Sequence, residues 1–284
     1  MKASQVLAEE LVLFLRQGWI GSLPESQLSL AQRLQHHQVL THPAVFSAFA
    51  STDRSWFTQD PQPYANLPHA LAGGEKMTIP SMHVLALEVL RPCVGPETKK
   101  VLDLGCGAGY LTHCLGKMAP NGQILGIDIN QRLIEQALLV PNAPANVSFR
   151  RADVKEIIDD EYDAIHVGFN ITHALSAELS MKLRTGGLLW APVMSAEDQS
   201  VAVCLIDKEG GSKKVIDMEY SPLRQPSADF EEKLKAIEQE IKGIYEDLQK
   251  RLGKSITLKD FPPKLPILLK ERKILMAKIK RLSS

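Results

Sequence analysis

VLDLGCGAGYLT, residues 101–112, reads as a short apolar strand, a turn with glycine at 105, 107 and 109, and the first turn of a helix. Glycines at that spacing let the backbone approach a ligand where side chains would collide with it. Working outward, the same strand–helix alternation continues. Lys100–Leu104 is the strand and residues 110–118 the helix. Gln123–Asp128 is a second strand, and 130–139 a helix with Asn130 placed to cap it. Val147–Arg151 and Asp163–Gly168 read as further strands, 174–183 as a helix, and Gly187–Val193 as a strand behind the Gly186-Gly187 turn. Alternation at this pace predicts a doubly wound parallel α/β sheet with helices on both faces. Ser200–Asp207 and Lys214–Tyr220, joined by Glu209-Gly210-Gly211-Ser212, predict a closing antiparallel hairpin.

The flanks differ in character. Residues 3–17 carry Val6, Leu7, Leu11, Phe14 and Leu15 at helical spacing. From Thr41 to Pro80, the prolines at 61, 63, 68 and 80 predict loops with short turns, and 82–90 returns to helix. Beyond Leu223, residues 228–252 place Phe230, Leu234, Ile237, Ile241, Ile244 and Leu248 at alternating steps of four and three. That spacing suits one helix packing on its own domain, or a seam with a second copy or a protein partner. A proline breaker and a basic helix over 267–282 follow. The reading divides the chain into 1–225, the α/β domain, and 226–284, a helical extension.

Bulk properties narrow the function classes. Lys+Arg and Asp+Glu are both 33, so no net charge draws the chain to nucleic acid or an anionic membrane. No apolar run reaches membrane-spanning length. Cys93, Cys106, Cys114 and Cys204 form neither a CxxC pair nor a metal-ligand spacing with histidine. They read as reduced thiols of a cytoplasmic protein, with no metal expected.

Three carboxylates sharpen the glycine turn. Asp103 ends the first strand two residues before Gly105 and suits a cationic amino-acid group. Tyr110 stands where a dinucleotide-binding turn would carry a small residue. Asp128 ends the next strand, where a carboxylate accepts from ribose hydroxyls. Asp153 lies past the third strand, where adenine is read. Each aspartate alone would serve as a helix cap. Together, on one side of the sheet, they predict a site for S-adenosyl-L-methionine.

Several segments, in order, resemble the protein-L-isoaspartate O-methyltransferase family: STDRSWF (51–57), PYANLPHALA (63–72), KMTIPSMHVLALEVL (76–90), VLDLGCGAGYLT (101–112), YDAIHVG (162–168), LRTGGLLWAPV (183–193) and YSPL (220–223). The resemblance implies a Rossmann-like class I methyltransferase sheet and methyl transfer to the side carboxylate of an isoaspartyl residue in a protein or peptide. It implies a catalytic hydroxyl at Thr78. It implies cofactor contacts at Met77, Thr78, His83, Asp103, Gly105, Gly107, Gly109, Asp128, Ile129, Asp153 and Val154, and substrate contacts at Asn66, Phe169 and Tyr220. The chain departs from the family pattern at Lys76-Met77, Asn66, Phe169-Asn170 and Arg224. The cofactor half is kept and the substrate half has drifted. Two other functions fit the same residues. One is a nucleoside-binding adaptor that recruits a partner through 226–284. The other is a methyltransferase for a different nucleophile.

Overall fold

The computed structural model describes residues 23–154, 161–198 and 200–218, and the isolated positions 236, 237 and 239. The helices read at 3–17 and 267–282, and Tyr220, lie outside the described residues, as does 228–252 apart from those three positions. The chain falls into two units, Met1–Glu219 and Tyr220–Ser284.

The first unit opens with helices α1 (Gln27–His36) and α2 (Pro43–Ala50). α2 lies in the stretch read as loops. Pro43 takes its first turn, where a missing N–H costs nothing, and the His42 ring accepts from Ala44 N–H. A small antiparallel pair, β1 (His69–Ala70) and β2 (Lys76–Met77), precedes α3 (Pro80–Leu90), which also starts on a proline. Glu88 on α3 accepts from the N–H groups of Thr41 and His42 at 2.7 and 2.8 Å, tying α3 to the start of α2.

The alternating part follows as β3 (Lys100–Leu104), α4 (Tyr110–Met118), β4 (Gln123–Asp128), α5 (Gln131–Leu138), β5 (Val147–Arg151), β6 (Tyr162–Val167), β7 (Ile171–Thr172) and α6 (His173–Ser180). β8 (Leu183–Met194), β9 (Val201–Asp207) and β10 (Ser212–Met218) complete the sheet. Asn130 caps α5 through a bond from Arg132 N–H. β8 runs straight through Gly186-Gly187, read as a turn. The β6–β8 register shifts between Tyr162 and Ala164 to absorb the positive φ of Gly186. The strand order is β10-β9-β8-β6-β3-β4-β5, with β7 paired to β8. β3, β4, β5, β6 and β8 are parallel, and the closing β8–β9–β10 pairs are antiparallel.

The sheet separates two cores. Val101, Ala164 and Trp190 pack with α1–α4, whereas Leu102, Leu104, Ile165, Val167 and Leu189 pack with Leu179 of α6. Side chains alternate between faces. Asp103 and His166 are register partners on β3 and β6, so both point into the α1–α4 core. Strand order reverses between β3 and β6, and a crevice at the carboxyl ends of such strands is where open α/β sheets take ligands.

Candidate functional site

The turn after β3 has the backbone that its glycines require. Gly105, Gly107 and Gly109 have φ of 69°, 56° and 88°, the left-handed region closed to most side chains. Their roles differ. Gly105 and Gly107 are half-buried on the crevice side. Gly109 is buried, and a Cβ there would sit 2.5 Å from Phe149 Cζ. The missing side chain there lets α4 pack against β5.

Asp128 suits its predicted place. Its Oδ2 accepts from Gly107 N–H at 2.9 Å, and its Oδ1 from Asn130 N–H at 2.8 Å. The carboxylate is half-buried, and each oxygen keeps a lone pair for a hydroxyl donor. Ile129 beside it is 64% exposed, an apolar surface for a flat ring. Asp153 and Val154 are half-buried just past β5.

Asp103 is where the sequence reading needs its main correction. It is fully buried, and both oxygens are occupied by side chains. Thr112 Oγ1 donates to Oδ2 at 2.6 Å, and His166 Nδ1 lies 2.8 Å from Oδ1. A carboxylate so enclosed does not meet an incoming cation directly. Tyr110 also turns inward. It is 2% exposed and packs edge-on against Phe49 and Phe57, so it does not bear on what the glycine turn accepts.

The β2–α3 loop brings Thr78 to the surface, while the Met77 side chain belongs to the core. Beneath it lies Arg54, fully buried. Its Nη2 donates to the Thr78 carbonyl at 2.8 Å, its Nε to the Pro63 carbonyl at 3.3 Å, and its Nη1 meets His83 Nδ1 at 3.0 Å. The guanidinium carbon sits 4.7 Å over the Tyr110 ring. Gln27 links the same group, donating to Tyr110 Oη and accepting from Arg54 N–H. Burial, then Arg54, then His166 hold the His83 pKa well below the usual histidine range, so the ring is neutral. Burial also pushes the Cys106 thiol far up, with Asp103 and Asp128 adding to it, which leaves no thiolate nucleophile in the turn.

Of the residues read as substrate contacts, Asn66 spends its carbonyl oxygen on Ser81 N–H at 2.9 Å, an orphan donor in the first turn of α3. Phe169 follows β6 and is 38% exposed. Its ring lies against the first glycine of the turn, 2.6 Å from where a Gly105 Cβ would stand. Arg54, His166 and Gln27 were given no site role from sequence. Arg54 and His166 sit inside family-like segments, and the signal was a polar residue in an otherwise inward-facing position: His166 within the apolar run AIHV.

The comparisons agree with this architecture. The family model described as protein-L-isoaspartate(D-aspartate) O-methyltransferase matches residues 25–225. Protein-L-isoaspartate O-methyltransferase 1 of Arabidopsis thaliana is 27% identical over 227 residues, 75% of this chain and 98% of that protein. The Caenorhabditis elegans protein-L-isoaspartate O-methyltransferase is 28% identical over 207 residues, 68% of this chain and 90% of that one. A Plasmodium falciparum structure described as a protein-L-isoaspartate O-methyltransferase in complex with S-adenosyl-L-homocysteine superposes with a TM-score of 0.60. It is 22% identical, covering 68% of this chain and 96% of that one. With the model match running from the start of α1 past the end of β10, the chain belongs to the protein-L-isoaspartate(D-aspartate) O-methyltransferase family.

Proposed function

We propose that the chain is an S-adenosyl-L-methionine-dependent O-methyltransferase that esterifies isoaspartyl carboxylates in proteins and peptides. The observation that carries the reading is the Asp128–Gly107 bond, which fixes a half-open carboxylate against a bare turn at the switch point of the sheet.

The residues present fit the cofactor. Asp128 would take the ribose hydroxyls, and Ile129, Asp153 and Val154 would frame the adenine. The backbone of Gly105, Gly107, Met77 and Thr78, with His83, would line the amino-acid end. When bound, S-adenosylmethionine supplies an electrophilic methyl carbon to a carboxylate oxygen, giving a methyl ester and S-adenosylhomocysteine. The acceptor is already anionic at neutral pH, so no general base is needed and positioning supplies most of the rate. Thr78 presents the hydroxyl that holds the acceptor carboxylate while it loses water, and Arg54 steadies that loop through the Thr78 carbonyl. Phe169 stands on the acceptor side and shuts water out.

The same proposal places the catalytic domain at 1–225 and the extension at 226–284. It gives the chain a cytoplasmic setting and assigns 228–252 to a dimer or partner seam. Among the described residues no helix is long and apolar enough to cross a membrane. Sedimentation of full-length protein carrying Ile237→Asp and Ile244→Asp tests the seam. An unchanged mass at every concentration removes it.

The direct test of the reaction is transfer of labelled methyl to an isoaspartyl peptide, with the normal aspartyl peptide as control. Base-labile label on the first alone supports the reading. No label, with S-adenosylhomocysteine binding intact by calorimetry, rejects the reaction and leaves the cofactor site standing. Thr78→Val, which loses one hydrogen bond to a charged group, should lower kcat/KM about 10- to 100-fold.

A further inference from the structure

Arg54 and Asp103 each hold an imidazole by the same ring atom, with opposite chemistry. A guanidinium has only donors. With Arg54 Nη1 at 3.0 Å, His83 Nδ1 is therefore the bare nitrogen and the ring proton sits on Nε2. A carboxylate accepts. With Asp103 Oδ1 at 2.8 Å, His166 Nδ1 carries the proton that meets it, so that in the neutral ring Nε2 is the bare nitrogen. Thr112 fills the other Asp103 oxygen, so the carboxylate cannot swing to serve another partner. Neither Nε2 has a hydrogen-bond partner among the described residues, although each residue is only 7% exposed.

The two rings lie beside the elements that flank the glycine turn. His83 packs 5.1 Å from the Tyr110 ring, at the start of α4 directly after the glycine turn. His166 lies two residues before Gly168, whose N–H donates to the Leu104 carbonyl at 2.7 Å. The groups facing His83 are Arg54, Tyr110 and His166, and the group facing His166, besides His83, is Asp103.

We infer that His83 and His166 are a tautomer-fixed donor–acceptor pair for the α-amino-acid end of the cofactor, His83 Nε2–H taking the carboxylate and His166 Nε2 the ammonium. The inference rests on the cofactor reading above and deepens it. It assigns a ligand contact to His166 and makes Arg54 and Asp103 positioning residues. The acidic residue before the glycine turn then meets the ammonium through an imidazole rather than directly.

Two measurements test it. Nitrogen-15 spectra of the wild-type histidines, free and with S-adenosylhomocysteine, should show His83 protonated on Nε2 and His166 on Nδ1. The reverse tautomer, or an imidazolium at either ring, overturns the inference without any variant being made. Calorimetry should then compare S-adenosylhomocysteine with 5′-methylthioadenosine, which lacks the amino-acid end. Arg54→Met and His166→Phe should weaken the first about tenfold or more and leave the second nearly unchanged. Arg54→Lys, still a pure donor, should restore most of the loss. Equal losses for both nucleosides would mean a merely structural role and overturn the inference. Wild-type protein that binds neither nucleoside would instead fail the cofactor reading itself.

Discussion

The two sides of the crevice hold their carboxylates by different means. On the β4–β5 side, Asp128 is half-buried and gripped by backbone N–H groups of Gly107 and Asn130. On the β3–β6 side, Asp103 is fully buried and gripped by the side chains of Thr112 and His166. Both stand at strand ends beside one turn. The first carboxylate is left half-open, and the second uses its charge to hold side chains in place. Losing the Asp128 carboxylate should therefore cost binding, and losing the Asp103 carboxylate should cost the fold.

The largest expected effect is on the closed side. Asp103→Ala strands the Thr112 hydroxyl and the His166 N–H in a dry core, and each buried donor left without a partner costs about 1–3 kcal/mol. Denaturant titration of the variant against wild type reads this directly. A loss under about 1 kcal/mol would mean that the two sides are not built differently. Asp128→Ala is the counterpart. It should leave the unfolding midpoint almost in place and weaken S-adenosylhomocysteine about 10- to 100-fold by calorimetry, the value of hydrogen bonds to a charged group. A fold lost with affinity retained would invert the comparison.

Phe169, proposed as an acceptor contact, sharpens it further. The ring fills the space over Gly105, so a smaller side chain should widen the acceptor site without touching the core. Phe169→Ala should raise kcat/KM for an isoaspartyl peptide with bulky flanking residues about tenfold relative to one flanked by glycine. A parallel change for both peptides would show that the ring limits the cofactor, not the acceptor.

What the sequence disclosed follows the same division. The glycine turn was legible because positive φ demands glycine at 105 and 107, whatever the rest of the fold does. Asp128 was legible because its partners are backbone groups, which every strand–turn–helix provides. Asp103 was misread because its partners are particular side chains, one nine residues ahead and one 63 residues ahead. No local pattern announces such a pairing. The His83–Arg54 bond spans 29 residues and was hidden for the same reason. Helix α2 was missed for a simpler one: the prolines at 61, 63, 68 and 80 set the reading of the whole stretch, yet none lies within Pro43–Ala50, and Pro43 itself stands in the first turn, which tolerates proline.

The smallest effect concerns a histidine that belongs to neither side. His113 on α4 packs against Phe57 and Phe149 at ring distances of 5.2 and 5.6 Å. Its Nε2 is buried without a partner. Burial, with Lys117 adding a smaller push, lowers its pKa to about 4. The unfolded chain, with an ordinary histidine, therefore binds more protons than the folded one between pH 6.5 and about 4. Stability from this residue is fully present above pH 6.5 and is lost as pH falls through that window. Replacing a polar group that has no partner with an apolar ring of similar shape is close to neutral. His113→Phe should hold the unfolding midpoint at pH 7 within about 1 kcal/mol. It should also flatten the decline between pH 6.5 and 4, where Asp103→Ala would shift the whole curve down. An unchanged acid slope in His113→Phe would move the proton uptake to His83, the other deeply buried ring, and so back to the closed side of the crevice.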